Sequence, residues 1–307
     1  MKAAILSMLR ESGGVVSGPT LCARLGISRV AVWKQIRSLQ ALGYDIRAGA
    51  RGYLLAASPD RLFPWEFAGR EERIVHLPET GSTMDVAREL ARKGCPGFTV
   101  VTADRQTSGR GRLQRVWYSA AGGLYFSLVV RPEIPAAMSP RVSFLASAVL
   151  ARVLSTGYGI RAGLKWPNDI LVEGRKLCGL LSEMEAESER VAFITLGIGL
   201  NVNNPLPAVE PPATSMRLLL GRTVSRREVL SRFLDEFEAG LAEGEWDAVI
   251  PTWRRFSVTL GCPVRIVTGR EELHGLALDV DADGALLLQA ADGSIRRIIY
   301  GDCFLSR

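Results

Sequence analysis

Three segments of the chain concentrate residue types that handle anions. The first is Gln106-Thr107-Ser108-Gly109-Arg110-Gly111-Arg112-Leu113-Gln114-Arg115. Two glycines let backbone N–H groups converge on a ligand, and three arginines add charge that cannot be shed. A flexible loop of this kind can close over an acyl phosphate and shield it from water. An exposed nucleic-acid loop shares the composition, so both readings stay open on the loop alone. The second segment is Lys165-Trp166-Pro167-Asn168-Asp169 with Arg175-Lys176-Leu177-Cys178-Gly179 behind it. A lysine held beside a glycine-rich anion loop suits the stabilisation of charge on a transferring phosphoryl group. The bland alternatives are surface charge for Lys165 and Lys176 and a structural ion pair for Arg115. The third segment, Gly197-Ile198-Gly199-Leu200-Asn201, alternates glycine with larger residues, which suggests a strand against which a flat ligand packs.

Other chemistries lack their residues. No Gly-x-x-x-x-Gly-Lys-Ser/Thr occurs, and Gly109-Arg110-Gly111 lacks the third glycine of a dinucleotide turn. The two histidines, His76 and His274, lie far apart, which argues against a histidine metal site or triad. The five cysteines are odd in number and scattered without a Cys-x-x-Cys pair, as reduced thiols would be.

These groups need elements to hold them. Residues 170–172, the turn Glu173-Gly174-Arg175 and residues 176–183 read as a hairpin whose return strand begins with Lys176. Around it, strand-like and helix-like stretches alternate without a repeat. From Gly261 onward, short strands separated by Asp281-Ala282-Asp283-Gly284 and Ala291-Asp292-Gly293 read as a small β-barrel. That barrel either helps bind a partner or ATP, or is a purely structural cap.

The amino-terminal part has a different character. Residues 1–56 hold eight basic residues against two acidic ones, so they carry the whole net charge of +6. The rest of the chain is formally neutral, and a basic module on a neutral body points to a polyanion partner. Leu21 and Leu25 share a face of a short helix that starts near Ser17-Gly18-Pro19 and breaks at Gly26. Ser28 can cap a second helix in which Val32, Ile36 and Leu39 form the buried stripe. Val30, Ala31, Lys34, Arg37 and Ser38 then fall on the other side, and two short strands follow, joined by Ala48-Gly49-Ala50-Arg51. This is a winged helix-turn-helix pattern, with Lys34, Arg37, Arg47 and Arg51 for phosphates and Val30, Ala31, Lys34 and Ser38 for base edges. The alternative is a packing module with no DNA role.

Residues 57–64 read as a linker. Three domains are expected: 1–57, 65–256 and 260–307 of the 307 residues. The opening residues are too quickly charged for a secretory signal, and the longest apolar runs, 142–154 and 191–200, fall short of the roughly 18–20 residues a membrane span needs. The expected location is cytoplasmic, with no membrane partner.

Along nearly its whole length the sequence resembles the biotin–protein ligases that double as biotin-operon repressors. The resemblance rests on the winged module, Ser82-Thr83, Gln106 to Arg112, Lys165-Trp166-Pro167-Asn168-Asp169, Arg175 to Gly179 and Gly197 to Asn201. It implies an α+β multidomain fold: a winged helix-turn-helix, a central class II synthetase-like mixed β-sheet with helices, and an SH3-like barrel. It implies activation of biotin as biotinyl-5′-AMP and transfer to a lysine of a carboxylase's biotin carboxyl carrier domain. Ser82, Thr83 and Gln106 would bond the ureido ring, while Arg110, Gly111 and Arg112 close over the biotin tail and adenylate phosphate. Arg112 and Lys176 would be catalytic. Trp117 and Asn201 would line the adenine side, and Lys165, Asn168 and Asp169 the ATP–Mg²⁺ region, with no dedicated protein metal site. Met84, Thr107, Gly179, Gly197 and Gly199 complete the candidate ligand-binding set. Operator DNA and a homodimer on it are the implied partners. A ligase without regulatory DNA binding, a non-catalytic biotin sensor and a lipoate ligase are the rival readings. Two departures from the family pattern stand out: Leu113 and Gln114 replace Arg and Gly in the loop, and Met84 replaces Asn after Ser82-Thr83.

Overall fold

The computed structural model describes residues 1–206, 208 and 212–305, in two compact units that divide between Glu72 and Arg73. Residues 306–307 of the expected last domain lie outside the described residues. In the first unit, α1 (Lys2–Ser12), α2 (Gly18–Leu25) and α3 (Arg29–Ala41) precede the antiparallel strands β1 (Asp45–Gly49) and β2 (Gly52–Ala57). Ser17 caps α2 and Ser28 caps α3, each through its side-chain oxygen. Ile5, Leu6, Leu9, Leu21, Val32, Ile36 and Leu39 form the shared core.

The segment after the wing is not a linker in this unit. Phe63 and Trp65 pack on the core. Glu66 accepts hydrogen bonds from Tyr44 and, at 2.9 Å, from Arg10, while the Trp65 indole donates to the Tyr44 hydroxyl at 3.0 Å. A buried carboxylate needs such partners, and they draw 58–72 into the first unit rather than the second.

In the second unit, β3 (Ile74–Thr80), α4 (Thr83–Arg92), β4 (Thr99–Gln106) and β5 (Leu124–Val130) come first. Then follow α5 (Ser139–Tyr158), β6 (Gly163–Lys165), β7 (Asp169–Val172), β8 (Arg175–Glu187) and β9 (Arg190–Leu200). Three helices, α6 (Met216–Leu220), α7 (Arg226–Glu243) and α8 (Trp246–Phe256), lead to the last five strands. The seven central strands run in the order β3-β4-β5-β9-β8-β7-β6, with only β3 and β4 parallel. Alternation along β5 separates the faces: Val129 packs with Ala87 and Ala91 of α4, and Phe126 meets Phe233 of α7 at 5.5 Å. The segment Ala136–Tyr158, which contains α5, is apolar and long enough to cross a membrane by length and composition. Here ten residues of α5 are buried, and it packs on α7 and α8 as a core helix.

The tail forms the five-stranded antiparallel sheet β13-β12-β11-β10-β14, built from β10 (Pro263–Val267), β11 (Glu272–Val280), β12 (Leu286–Gln289), β13 (Ile295–Ile298) and β14 (Asp302–Leu305). Trp166 pins it to the central sheet. Its backbone N–H donates to the Thr259 hydroxyl at 2.9 Å, and its indole donates to the Gly284 carbonyl at 3.0 Å.

Gly52 is the tightest backbone position of the wing. It has φ 138°, and a Cβ there would lie 2.2 Å from the Val16 carbonyl oxygen, beside the Val16–Tyr53 bridge. Gly52→Ala is expected to destabilise the first unit by about 1–3 kcal/mol or more. Hydrogen exchange of residues 1–57 in the full chain checks this; protection equal to the parent protein's would refute it.

Candidate functional site

The chemistry collects on the α4 face of the central sheet, where the strands leave bare backbone. Gly197 and Gly199 of β9 have no side chains, and two neighbours fill the space. A Cβ on Gly197 would lie 2.6 Å from Met84 Sδ, and one on Gly199 would lie 2.4 Å from Trp117 Nε1. The indole of Trp117 therefore lies between this strand and any flat ligand placed above it. Above it opens a cleft of about 600 Å³ lined by residues of α4, β4, β6 to β9, the arginine loop and β14.

At one end, the amino terminus of α4 meets the end of β4. Gln106 Oε1 accepts from the Thr83 N–H at 2.8 Å and from its hydroxyl at 3.1 Å, while Gln106 Nε2 donates to Ser119 at 2.9 Å. The carboxamide is therefore fixed in one orientation. Thr83 also bonds Ser127 at 2.8 Å, and the adjacent Ser82 side chain caps no backbone N–H of α4.

At the other end stand the lysines. Glu173 and Gly174 both have positive φ, 51° and 73°, which turns β7 tightly into β8 and brings Lys176 back beside Asp169. Lys176 Nζ lies 2.6 Å from one Asp169 oxygen, Lys165 Nζ lies 3.8 Å from the other, and Lys176 also sits over the Trp117 ring at 5.3 Å. The backbone of Lys176 is held from behind by the Pro212 carbonyl and the Thr214 N–H, both at 2.9 Å. Asn168 donates its amide to the Leu180 carbonyl, so it braces the corner.

The arginine loop is more ordered than its composition suggests. The Gly111 N–H, expected to face an anion, donates to the Arg115 carbonyl at 2.7 Å. Gly109 is required for close packing, since a Cβ there would lie 2.6 Å from both Ser119 Oγ and the Trp117 carbonyl. Leu113 and Gln114 have left-handed φ of 52° and 58°, at the two positions where the sequence departs from the family pattern. Arg110 holds Asp85 through two 2.8 Å bonds, Arg112 donates to the Gly301 carbonyl at 3.1 Å, and Arg115 pairs with Asp302. Arg115 thus takes the structural ion-pair role considered for it.

Electrostatics follow from these pairings. The hydrogen bond from Arg110 is the main cause holding the Asp85 carboxyl below its ordinary range, helped by the charges of Arg110 and Arg88. That tether is complete at neutral pH and is lost only as pH falls through this depressed value. Burial works against the charge of Arg112, while Asp302 and Asp169 favour it. Burial pushes the Cys303 thiol up to about 11, so this side chain is a neutral thiol at neutral pH.

The cleft brings together Ser82, Thr83, Met84, Gln106, Arg110, Gly111, Arg112, Trp117, Lys165, Asn168, Asp169, Lys176, Gly179, Gly197, Gly199 and Asn201. Thr107 is the exception among the expected positions. It is exposed, and its N–H is bonded to the Thr80 carbonyl at 2.9 Å. Sequence reasoning missed Asp85, Ser119, Ser127, Asp302 and Phe304. Phe304 borders the cleft from β14 and stacks under Arg265 at 4.3 Å. Isolated carboxylates, hydroxyls and a near-terminal aromatic carry no spacing signal; only the position of Asp85 beside Ser82-Thr83-Met84 offered a hint.

Comparison with known proteins covers the same stretch of chain and both flanking segments. Residues 77–201 match the Biotin/lipoate A/B protein ligase family, 259–306 the Biotin protein ligase C terminal domain, and 2–54 an HTH domain. The chain is 35% identical to the bifunctional ligase/repressor BirA of Bacillus subtilis, over 97% of this chain and 96% of the relative. The chain belongs to the biotin protein ligase family. The Escherichia coli BirA is 29% identical over 98% of this chain and 96% of its own length. The biotin protein ligase of Aquifex aeolicus, solved in complex with biotin and ATP, superposes with TM-score 0.63 at 29% identity, over 76% of this chain and 98% of that one. The three-part fold expected of the family is the fold observed.

On the first unit, Val30, Lys34, Arg37, Arg47 and Arg51 are exposed. Ala31 and Ser38 are half-buried, and the Ala31 N–H is taken by Ser28 at 3.2 Å.

The ion pair between Arg115 and Asp302 ties the loop to the barrel. In Asp302→Asn, tryptic cleavage within residues 110–115 should accelerate severalfold, because local opening becomes easier. Mass spectrometry of a digestion time course reads this directly, and an unchanged rate would show that the pair does not restrain the loop.

Proposed function

We propose that this chain activates biotin as biotinyl-5′-AMP with ATP, transfers it to a lysine of a biotin carboxyl carrier domain, and represses transcription in response to biotin. The observation that carries the ligase reading is the single cleft holding a fixed Thr83–Gln106 hydrogen-bond pair at one end and the Lys176–Asp169–Lys165 cluster at the other. Relatives named as ligase/repressors along almost the whole chain support both halves of the reading.

In this reading Ser82, Thr83 and Gln106 hold the ureido ring, and the free side of the Gln106 amide donates to its oxygen. Met84, Gly179 and Gly197 shape the apolar part of the cleft, with Thr107 outside it. Trp117, Gly199 and Asn201 border the adenine. The carboxylate attacks the α-phosphorus, pyrophosphate leaves, and the acceptor amine then displaces AMP. Both reactants are anions in the first step, so Arg112 and Lys176 stabilise the charge as it spreads onto phosphoryl oxygens. Arg110 and Gly111 complete the loop that excludes water from the mixed anhydride. Lys165, Asn168 and Asp169 frame the triphosphate. Asp169 is engaged by two lysines, and Mg²⁺ commonly binds through one or two carboxylates plus substrate phosphates. In this reading Mg²⁺ arrives bound to the ATP phosphates.

For the second activity, α3 enters the major groove of operator DNA, with Arg47 and Arg51 of the wing on phosphates. A homodimer on that DNA suits a two-fold operator. Residues 181–187 of β8 pair with β9 alone among the described strands, which leaves an edge for a second copy. A cytoplasmic location fits this pair of activities.

Arg112→Ala and Lys176→Ala should each lower adenylate formation roughly a hundredfold or more, the effect of losing about 2.7–4 kcal/mol of charge stabilisation. Pyrophosphate release and acceptor labelling measure the two steps separately. Normal rates in the double variant would remove the assigned roles. Lipoate competing as well as biotin would redirect the substrate assignment.

A further inference from the structure

The outward face of α3 carries large apolar residues that the core does not use. Val32, Ile36 and Leu39 are buried, at 1% exposure or less, and complete the packing of the helix. Val30 and Trp33, by contrast, are 62% and 54% exposed. Trp33 stands three residues after Val30, four after Arg29 and four before Arg37, so these four share one face of the helix. Arg29, Lys34 and Arg37 are exposed around it, and among the described residues no carboxylate pairs with them. An apolar patch ringed by cations fits a polyanion that also offers apolar groups, and duplex DNA is such a partner.

We infer that Trp33, together with Val30, reads thymine in the major groove by contact with its C5-methyl group. This rests on the DNA-binding reading above and adds the residue and base that would give it specificity. Neither side chain can form the paired hydrogen bonds that identify guanine or adenine: valine has no polar atom, and tryptophan has a single N–H donor. Among the natural bases, the apolar feature of the major-groove edge is the thymine methyl. Ala31 and Ser38, half-buried on the flank, are less well placed for base contact. Lys34 and Arg37 supply affinity that is indifferent to sequence.

The test is selection from a random duplex library by the full chain with biotin and ATP present, run in parallel with Trp33→Ala. The parent protein should enrich a motif with a thymine in each half-site. Replacing that thymine by deoxyuridine should weaken binding roughly fourfold per methyl lost, the equivalent of one buried methyl-sized group. Trp33→Ala should lose the preference at that position and become indifferent to deoxyuridine. Its salt dependence and biotin-transfer rate should be unchanged, which shows that the fold and the cation contacts survive. An unchanged motif in Trp33→Ala would overturn the inference, as would an equal loss of affinity for selected and random duplexes. If the parent protein enriches no motif at all, the DNA-binding reading itself fails, an outcome distinct from the other two.

Discussion

Asp169 is the constraint around which the cleft is built. Lys165 and Lys176 are both largely shielded from solvent, and two ammonium groups so placed repel each other. A unit-charge interaction at 4 Å is worth about 1 kcal/mol in water and about 4 kcal/mol at the effective dielectric of a protein surface. One carboxylate between them offsets that repulsion and still leaves a net positive cluster. The ladder fixes its position, because Asp169 pairs with Lys165 on β6 and with Gly179 on β8. A change in the register of this three-stranded edge would move all three charges at once.

The glycines of β9 impose the second condition. Because Gly199 presents only backbone, the Trp117 indole packs directly against the strand, and Lys176 rests over its ring. Gly197 does the same for Met84, so a thioether forms the floor where the family pattern has a polar residue. The floor of this cleft is accordingly more apolar, and orientation of a polar ligand ring rests more heavily on Thr83 and Gln106.

Local rules made much of this legible. Ser17 and Ser28 signalled the helix starts, Glu173-Gly174 the hairpin, and Val32, Ile36 and Leu39 the buried stripe, and each is where the sequence put it. What stayed hidden depends on partners remote in sequence. Residues 57–64 read as a proline-bearing linker until Tyr44 and Arg10 are seen to converge on Glu66 just beyond them. Left-handed backbone at Leu113 and Gln114 carries no glycine to announce it. Asp302 looks like any solvated acid until Arg115 arrives from 187 positions away.

That separation bears on the order in which the molecule takes shape. Contacts between residues 112 and 301 and between 115 and 302 span almost the entire second unit. Joining such distant points carries a large loop-closure cost, so they form after the hairpins and helices between them. A growing polypeptide can therefore assemble its central strands, complete with lysines and bare β9, while the far side of the cleft roof still lacks its anchors. The last strand acts as a completion mark: an unfinished or carboxy-terminally clipped chain keeps the reactive cations and the Arg110–Asp85 tether but loses the anchors of Arg112 and Arg115.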